Sequence, residues 1–196
     1  MPVRILFEAP SVGELAGRVR QLTGSGARAP LQAGPRPDRI PLSLAQQRMW
    51  LLNQMDTTSP SYNIPMALRL SGSLDTAALQ AGVGDVIERH ESLRTVFPSD
   101  DAGPMQRIVP ADSVVPELAP EMVEDDAALL ARLSTLLMAG FDVTAAPPLR
   151  AGLFRSGEDE YVFAMVVHHI SADGASMAPL ARDMMLAYAA HLSLIH

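Results

Sequence analysis

The sequence contains no cysteine and no lysine. Without cysteine there is no disulfide, no thiol nucleophile and no thiolate metal ligand, a composition that fits the cytoplasm. Without lysine there is no amine for Schiff-base chemistry, and all 15 cations are arginine. Positive charge is short overall: 15 basic residues stand against 22 acidic ones, for a net charge of -7. That balance, with a pI near 5.1, argues against a nucleic-acid surface. No apolar run approaches the ~20 residues of a bilayer span, so no membrane association is expected. The N-terminus lacks the basic start and apolar centre of a signal peptide. Several catalytic signatures are missing too: there is no G-x-S-x-G elbow, no phosphate loop, no G-x-G-x-x-G and no H-E-x-x-H. Gly24-Ser25-Gly26 and Gly82-Val83-Gly84 lack the strand-then-helix setting that glycine loops need. What is present is a chain of 196 residues, 48% hydrophobic, long enough for one domain with a real core.

Texture divides the chain into three. Residues 1–22 read as a short helix with a capped start, because Ser11-Val12-Gly13-Glu14 fits the S-x-x-E capping box. Residues 23–39 are rich in Gly, Pro, Ala and Arg without periodicity and read as a flexible linker. From Ile40 the pattern is that of a globular α/β domain. Helices are expected over Leu44 to Met55, Asp75 to His90 and Glu124 to Gly140, and from Ser176 through Tyr188. Strands are expected over Tyr62 to Ser71, Leu93 to Phe97 and Met105 to Val109. A hairpin is expected from Leu149 to Phe154 and Tyr161 to His168. Gly82 and Gly84 each weaken their helix by about 1 kcal/mol relative to Ala, so that helix must lean on tertiary packing.

The densest chemistry lies at the exit of an apolar run. Tyr161 to Val167 reads as a buried strand, and His168-His169-Ile170-Ser171-Ala172-Asp173-Gly174 follows it. Histidine titrates nearest neutrality and is the natural proton carrier. Adjacent strand residues point to opposite faces, so the two imidazoles do not converge on one atom. One faces a cavity and the other packs inside. Asp173 lies past the strand, where a turn at Gly174 can fold it back. A carboxylate there could orient an imidazole, pair with an arginine or cap the next helix. His90, His191 and His196 are scattered, and no metal site is expected.

Three motifs then form a set. Ser43-Leu44-Ala45-Gln46-Gln47-Arg48-Met49-Trp50-Leu51-Leu52 resembles the first core motif of condensation domains in nonribosomal peptide synthetases. Arg89-His90-Glu91-Ser92-Leu93-Arg94-Thr95-Val96-Phe97 resembles their second, and His168 to Gly174, extending to Ser176, their third. The likeness runs from about Ile40 to Tyr188. Leu6 to Ala16 resembles the final helix of a peptidyl carrier domain. The resemblance implies an α/β (α+β sandwich) fold: a chloramphenicol-acetyltransferase-like lobe with a mixed sheet flanked by helices. It implies the C-terminal end of a carrier domain at 1–22, a linker at 23–39 and the N-terminal lobe of a condensation domain at 40–196. Later motifs of a second lobe are missing, so the chain is expected to be a fragment, inactive in isolation. Ala175 stands where many relatives carry a bulky aromatic.

The implied reaction is amide formation between carrier-bound aminoacyl or peptidyl thioesters. The implied partners are upstream and downstream peptidyl carrier domains and an adenylation domain. The phosphopantetheine arms belong to those carriers, and no cofactor is expected on this chain. The second histidine, His169, is the expected catalytic residue. His168 is expected to pack inward, and Gly174 to serve the turn. Ser176 is expected as a helix cap. Asp173 is expected in a structural pair with Arg94, with Arg89 as a further structural arginine. The alternatives are an epimerisation domain of the same superfamily, or an inactive truncated or interaction fragment.

Overall fold

The computed structural model describes residues 4–9, 11–22 and 34–194. Most of the expected linker, 23–33, lies outside the described residues, as do Pro10 and His196. The chain forms two compact units, Met1–Pro37 and Asp38–His196.

The first unit holds two helices where one was expected: α1, Arg4–Glu8, and α2, Val12–Leu22. Ala9 lies between them outside helix, and a residue before proline is pushed out of the α region. Ser11 caps α2 reciprocally. The Glu14 amide donates to Ser11 Oγ at 3.3 Å, and the Ser11 amide donates to Glu14 Oε2 at 3.3 Å. This is the capping box read from the sequence.

The second unit is built on a four-stranded mixed sheet. It comprises β2, Asn63–Ser71; β8, Glu160–His168; β7, Leu149–Arg155; and β6, Glu121–Met122, in that spatial order. β8 is antiparallel to both neighbours, while β6 is parallel to β7. A smaller sheet joins β1, Ile40–Pro41, to β5, Gly103–Ile108, and on to β3, Thr95–Val96; β4, Ser99–Asp100, also pairs with β5. Four helices pack around them: α3, Leu44–Met55; α4, Thr76–Arg89; α5, Asp126–Met138; and α6, Gly174–Leu194. The expected α/β class and mixed sheet are what the structure contains.

The unbroken apolar run in β8 has a physical cause: both faces of the strand are buried. Tyr161, Phe163, Met165 and Val167 pack with Leu79, Val83 and Ile87 of α4 and with Leu180 and Met184 of α6. Val162 and Ala164 pack with Leu129 of α5, and Val166 with Phe97 and Phe141. Each such side chain contributes roughly 1.5–3 kcal/mol by leaving water. β2 is an outer strand. Its Pro65, opposite Val166, has no N–H to offer, as suits a strand at the rim.

Several element ends differ from expectation. Glu91–Arg94 forms a 3-10 turn, with the Leu93 amide bonded to the His90 carbonyl at 2.9 Å, so only Thr95–Val96 of that segment is strand. β6 was not anticipated, since two residues carry no periodic signal. α6 begins at Gly174 rather than Ser176 and extends to Leu194. Gly82 is needed: a Cβ there would sit 3.0 Å from the Tyr188 amide of α6. Gly84 meets only Val115 Cγ2 at 3.9 Å, so close approach does not require it.

Candidate active site

The C-terminal end of β8 is pinned from both sides. The His168 amide donates to the Pro148 carbonyl at 3.0 Å, and the His169 amide donates to the Tyr62 carbonyl at 2.8 Å. β8 ends at His168, and His169 opens a turn that the Ser171 amide closes on the His168 carbonyl at 3.0 Å; the two side chains part at that junction. His168 is 1% exposed and His169 is exposed.

The buried imidazole sits among rings. Phe141 meets it edge-on with centroids 6.1 Å apart, and Tyr62 lies tilted at 6.1 Å. Its Nδ1 accepts the Ile170 amide at 3.1 Å, which puts the proton of the neutral ring on Nε2. Burial, with a smaller contribution from the charge of His169, lowers its pKa from 6.5 to about 4. At neutral pH His168 is uncharged and its Nδ1 lone pair is occupied.

His169 lines a cavity of ≈ 570 Å³ together with Ser43, Gln46, Arg48, Met49, Asp173 and Ser176. α3 supplies much of one wall. Its start is fixed by a capping box between Ser43 and Gln46, and its Trp50 Nε1 donates to the Phe97 carbonyl at 2.8 Å. Ser171, Ala172 and Ser176 also line a second cavity of ≈ 270 Å³, reached by His90 and Ser92. The loop after β8 therefore borders both spaces.

Asp173 caps α6. Its Oδ1 accepts the Ser176 amide at 3.0 Å and the Ser176 hydroxyl at 2.7 Å. The Asp173 amide donates to Ser176 Oγ at 3.1 Å. The Ser176 hydroxyl, then its amide, hold the carboxyl below the usual carboxylate range, and His169 adds a smaller pull.

This corrects three expectations. The Asp173–Arg94 pair does not form. Arg94 instead donates to the Val109 carbonyl at 2.7 Å and the Glu88 carbonyl at 3.3 Å, and lies 3.7 Å from Glu91. A local helix cap needs no arginine. Ser176 is not the cap itself but the reciprocal partner three residues inside the helix. Gly174 has no positive φ, and a Cβ would meet nothing within 4 Å, so neither turn nor crowding requires glycine there. Arg89 is structural in another place, 3.2 Å from Asp183, which also receives His90 at 2.9 Å.

Sequence reading overlooked a group behind His168: Tyr62, Phe141 and Arg150. A signal existed, since Phe141 opens the segment that Pro147-Pro148 closes and Arg150 follows two residues later. No spacing rule links such residues across a loop. Among the described residues, no three ligating side chains gather into a metal-binding group. No helix among them is long and apolar enough to cross a membrane.

Residues 37–193 match a family model described as Condensation domain. The dimodular nonribosomal peptide synthase of Bacillus subtilis (strain 168) is 47% identical over 186 residues, covering 94% of this chain and 8% of that protein. The isonitrile lipopeptide synthase of Mycobacterium tuberculosis (strain ATCC 25618 / H37Rv) is 46% identical over 171 residues, covering 85% of this chain and 7% of that protein. Among solved structures, a chain in the complex of the X-domain and OxyB from teicoplanin biosynthesis superposes with a TM-score of 0.77 at 39% identity. The match covers 87% of this chain and 36% of that one. The starter condensation domain of rhizomide synthetase RzmA superposes at 0.70 with 24% identity, over 80% of this chain and 38% of that one; the likeness there is of fold.

Proposed function

The chain belongs to the condensation-domain family of nonribosomal peptide synthetases, and we propose that it supplies the histidine-bearing lobe of a domain forming amide bonds between carrier-borne thioesters. One observation carries the reading: of two adjacent imidazoles, His169 alone is exposed, and it lines a cavity of ≈ 570 Å³.

In the proposed step the α-amine of an acceptor aminoacyl thioester attacks the carbonyl of a donor thioester. The C–N bond forms, the C–S bond breaks, and the donor's phosphopantetheine sulfur leaves and is protonated to its thiol. An α-amine has a pKa of about 7.7–8.0, so a useful fraction is already neutral near pH 7. Prior deprotonation is not the hard part. Alignment is harder, and holding both groups in place can supply ~7–11 kcal/mol. His169 orients the amine and takes its proton as the C–N bond forms, help worth about 10²–10⁴-fold. His168, buried and neutral, supports the turn and touches no substrate.

The same reading assigns residues 1–22 to the end of a carrier domain, 23–39 to a linker and 40–196 to a condensation lobe. The break between units after Pro37 and the family match from residue 37 support it. Carrier domains and an adenylation domain are the proposed partners, with the phosphopantetheine arms arriving on the carriers.

The test is single-turnover amide formation from loaded donor and acceptor carriers, with the segment set in a complete condensation domain. His169→Ala that kept wild-type rates would defeat the assignment. Chiral analysis of the product separates condensation from epimerisation. A second reading, a docking module without chemistry, draws on the neighbour solved in complex with OxyB. It predicts that the unaltered segment also yields no amide.

A further inference from the structure

The group behind His168 is built more heavily than a strand end requires. Arg150, on β7, lies with its guanidinium carbon 3.7 Å from the centroid of the Phe141 ring. Its nitrogens donate to the carbonyls of Gly140 at 2.8 Å, Leu136 at 3.3 Å and Ala139. Leu136 lies in the last turn of α5 and Ala139 is its C-cap, carbonyls the helix itself leaves without donors, and Gly140 follows just beyond. Asn63 Nδ2 donates to the Leu137 and Ala139 carbonyls, both at 2.8 Å. Asn53, buried on α3, donates to the Phe141 carbonyl at 2.7 Å. A Cβ at Gly140 would overlap the backbone of Thr57 and Thr58, so this stretch tolerates no bulk. Residues from α3, β2 and β7 thus hold one short segment, and that segment sets the Phe141 ring nearly perpendicular to the His168 ring.

Capping α5 needs only the carbonyl bonds. Stacking on the Phe141 ring adds something a cap does not use: it fixes the plane of the ring. His168 in turn holds the Ile170 amide, the first backbone group beyond His169. We propose that Arg150 is a positioning residue, acting through Phe141 and His168 to set the turn that aims His169 into its cavity.

The proposal deepens the amide-forming reading and rests on it for its catalytic consequence. Its structural part is tested without activity. A planar fork is essential, because a lysine offers its donors from a single point and cannot stack as a plane. The ionisable groups near His168 are His169 at the strand exit, Tyr62 before β2 and Arg150 beyond Phe141.

The experiment is ¹⁵N imidazole spectroscopy of the 196-residue chain, titrated from pH 4 to 8. In the unaltered chain, His168 should hold its Nε2–H form and titrate near 4. Phe141→Leu and Arg150→Met should move its midpoint up by about one unit and populate the other tautomer. Arg150→Lys, which keeps the charge, should behave like Arg150→Met. His191, on α6 with Asp85 at 2.8 Å, serves as the internal control and should not move. An unchanged His168 in Phe141→Leu and in both arginine variants overturns the proposal. So does a joint shift of His168 and His191, which marks general loosening. In a complete domain, Arg150→Lys should lower kcat by about 10–100-fold with KM retained. A fall in KM-dependent binding alone counts against positioning. If the unaltered domain forms no amide, the functional reading fails, while the imidazole titration still decides the clamp.

Discussion

His168 and His169 share a peptide bond and almost nothing else. One ring lies between Phe141 and Tyr62, lost to water and neutral down to a pH of about 4. The other stands in a cavity beside Arg48, Asp173 and Ser176. The difference comes from a single step, from the last residue of β8 to the first residue of the turn after it. Identical side chains become a packing element and a candidate proton carrier. His168 bonds the Ile170 amide and so tethers the far side of His169 to the core.

The sharpest way to break this comparison is to remove each ring in turn. His169→Ala should lower the rate of amide formation in a complete domain by about 10²–10⁴-fold. Its stability should stay within about 0.5 kcal/mol of wild type, because the side chain is exposed. Single-turnover kinetics and a thermal melt read the two effects separately. His168→Ala should do the reverse, costing about 3 kcal/mol of stability by opening a cavity in the core. Denaturant unfolding of the chain measures that loss.

Acid should distinguish the two regions next. Burial lowers the pKa of His168 to about 4, whereas an unfolded histidine titrates near 6.5. Between those values the unfolded chain binds the proton and the folded chain resists it. Stability from this group is therefore complete above pH 6.5 and lost as pH falls toward 4, by about 3 kcal/mol. Melting curves across that window should slope accordingly, and His168→Asn should flatten the slope. The smallest effect concerns the loop. Asn caps a helix as well as Asp, so Asp173→Asn should leave the melting temperature unchanged. Asp173→Ala should lower it by a few degrees. A large loss of stability in Asp173→Asn would restore the ion-pair role that the structure denies.

Some of this was legible from residues alone because the relevant physics is local. The β8 hairpin, α3 and the Ser11 capping box follow from periodicity and capping chemistry. The parting of the two histidines was expected from the pleat, but the structure achieves it by ending β8 at His168 and turning the chain at His169. The partner of Asp173 was misjudged because a carboxylate four residues past a strand has several chemically sound destinations. A helix starting at Gly174 offered the nearest amide and hydroxyl, and proximity won over a distant guanidinium. The 3-10 turn at Glu91–Arg94 was missed because an apolar residue such as Leu93 fits a turn buried against α4 as readily as a strand.

The sequence by itself determined that the chain has an α/β core, that β8 is buried on both faces and that titratable side chains are concentrated at its exit. Those properties are encoded in hydrophobic period and residue type over a few positions. Only the tertiary structure decided which histidine is dry, where Arg94 and Asp173 spend their hydrogen bonds, and that Arg150 reaches Phe141 behind the site. Those depend on contacts between segments far apart in the chain, which loop closure brings together and no local pattern records.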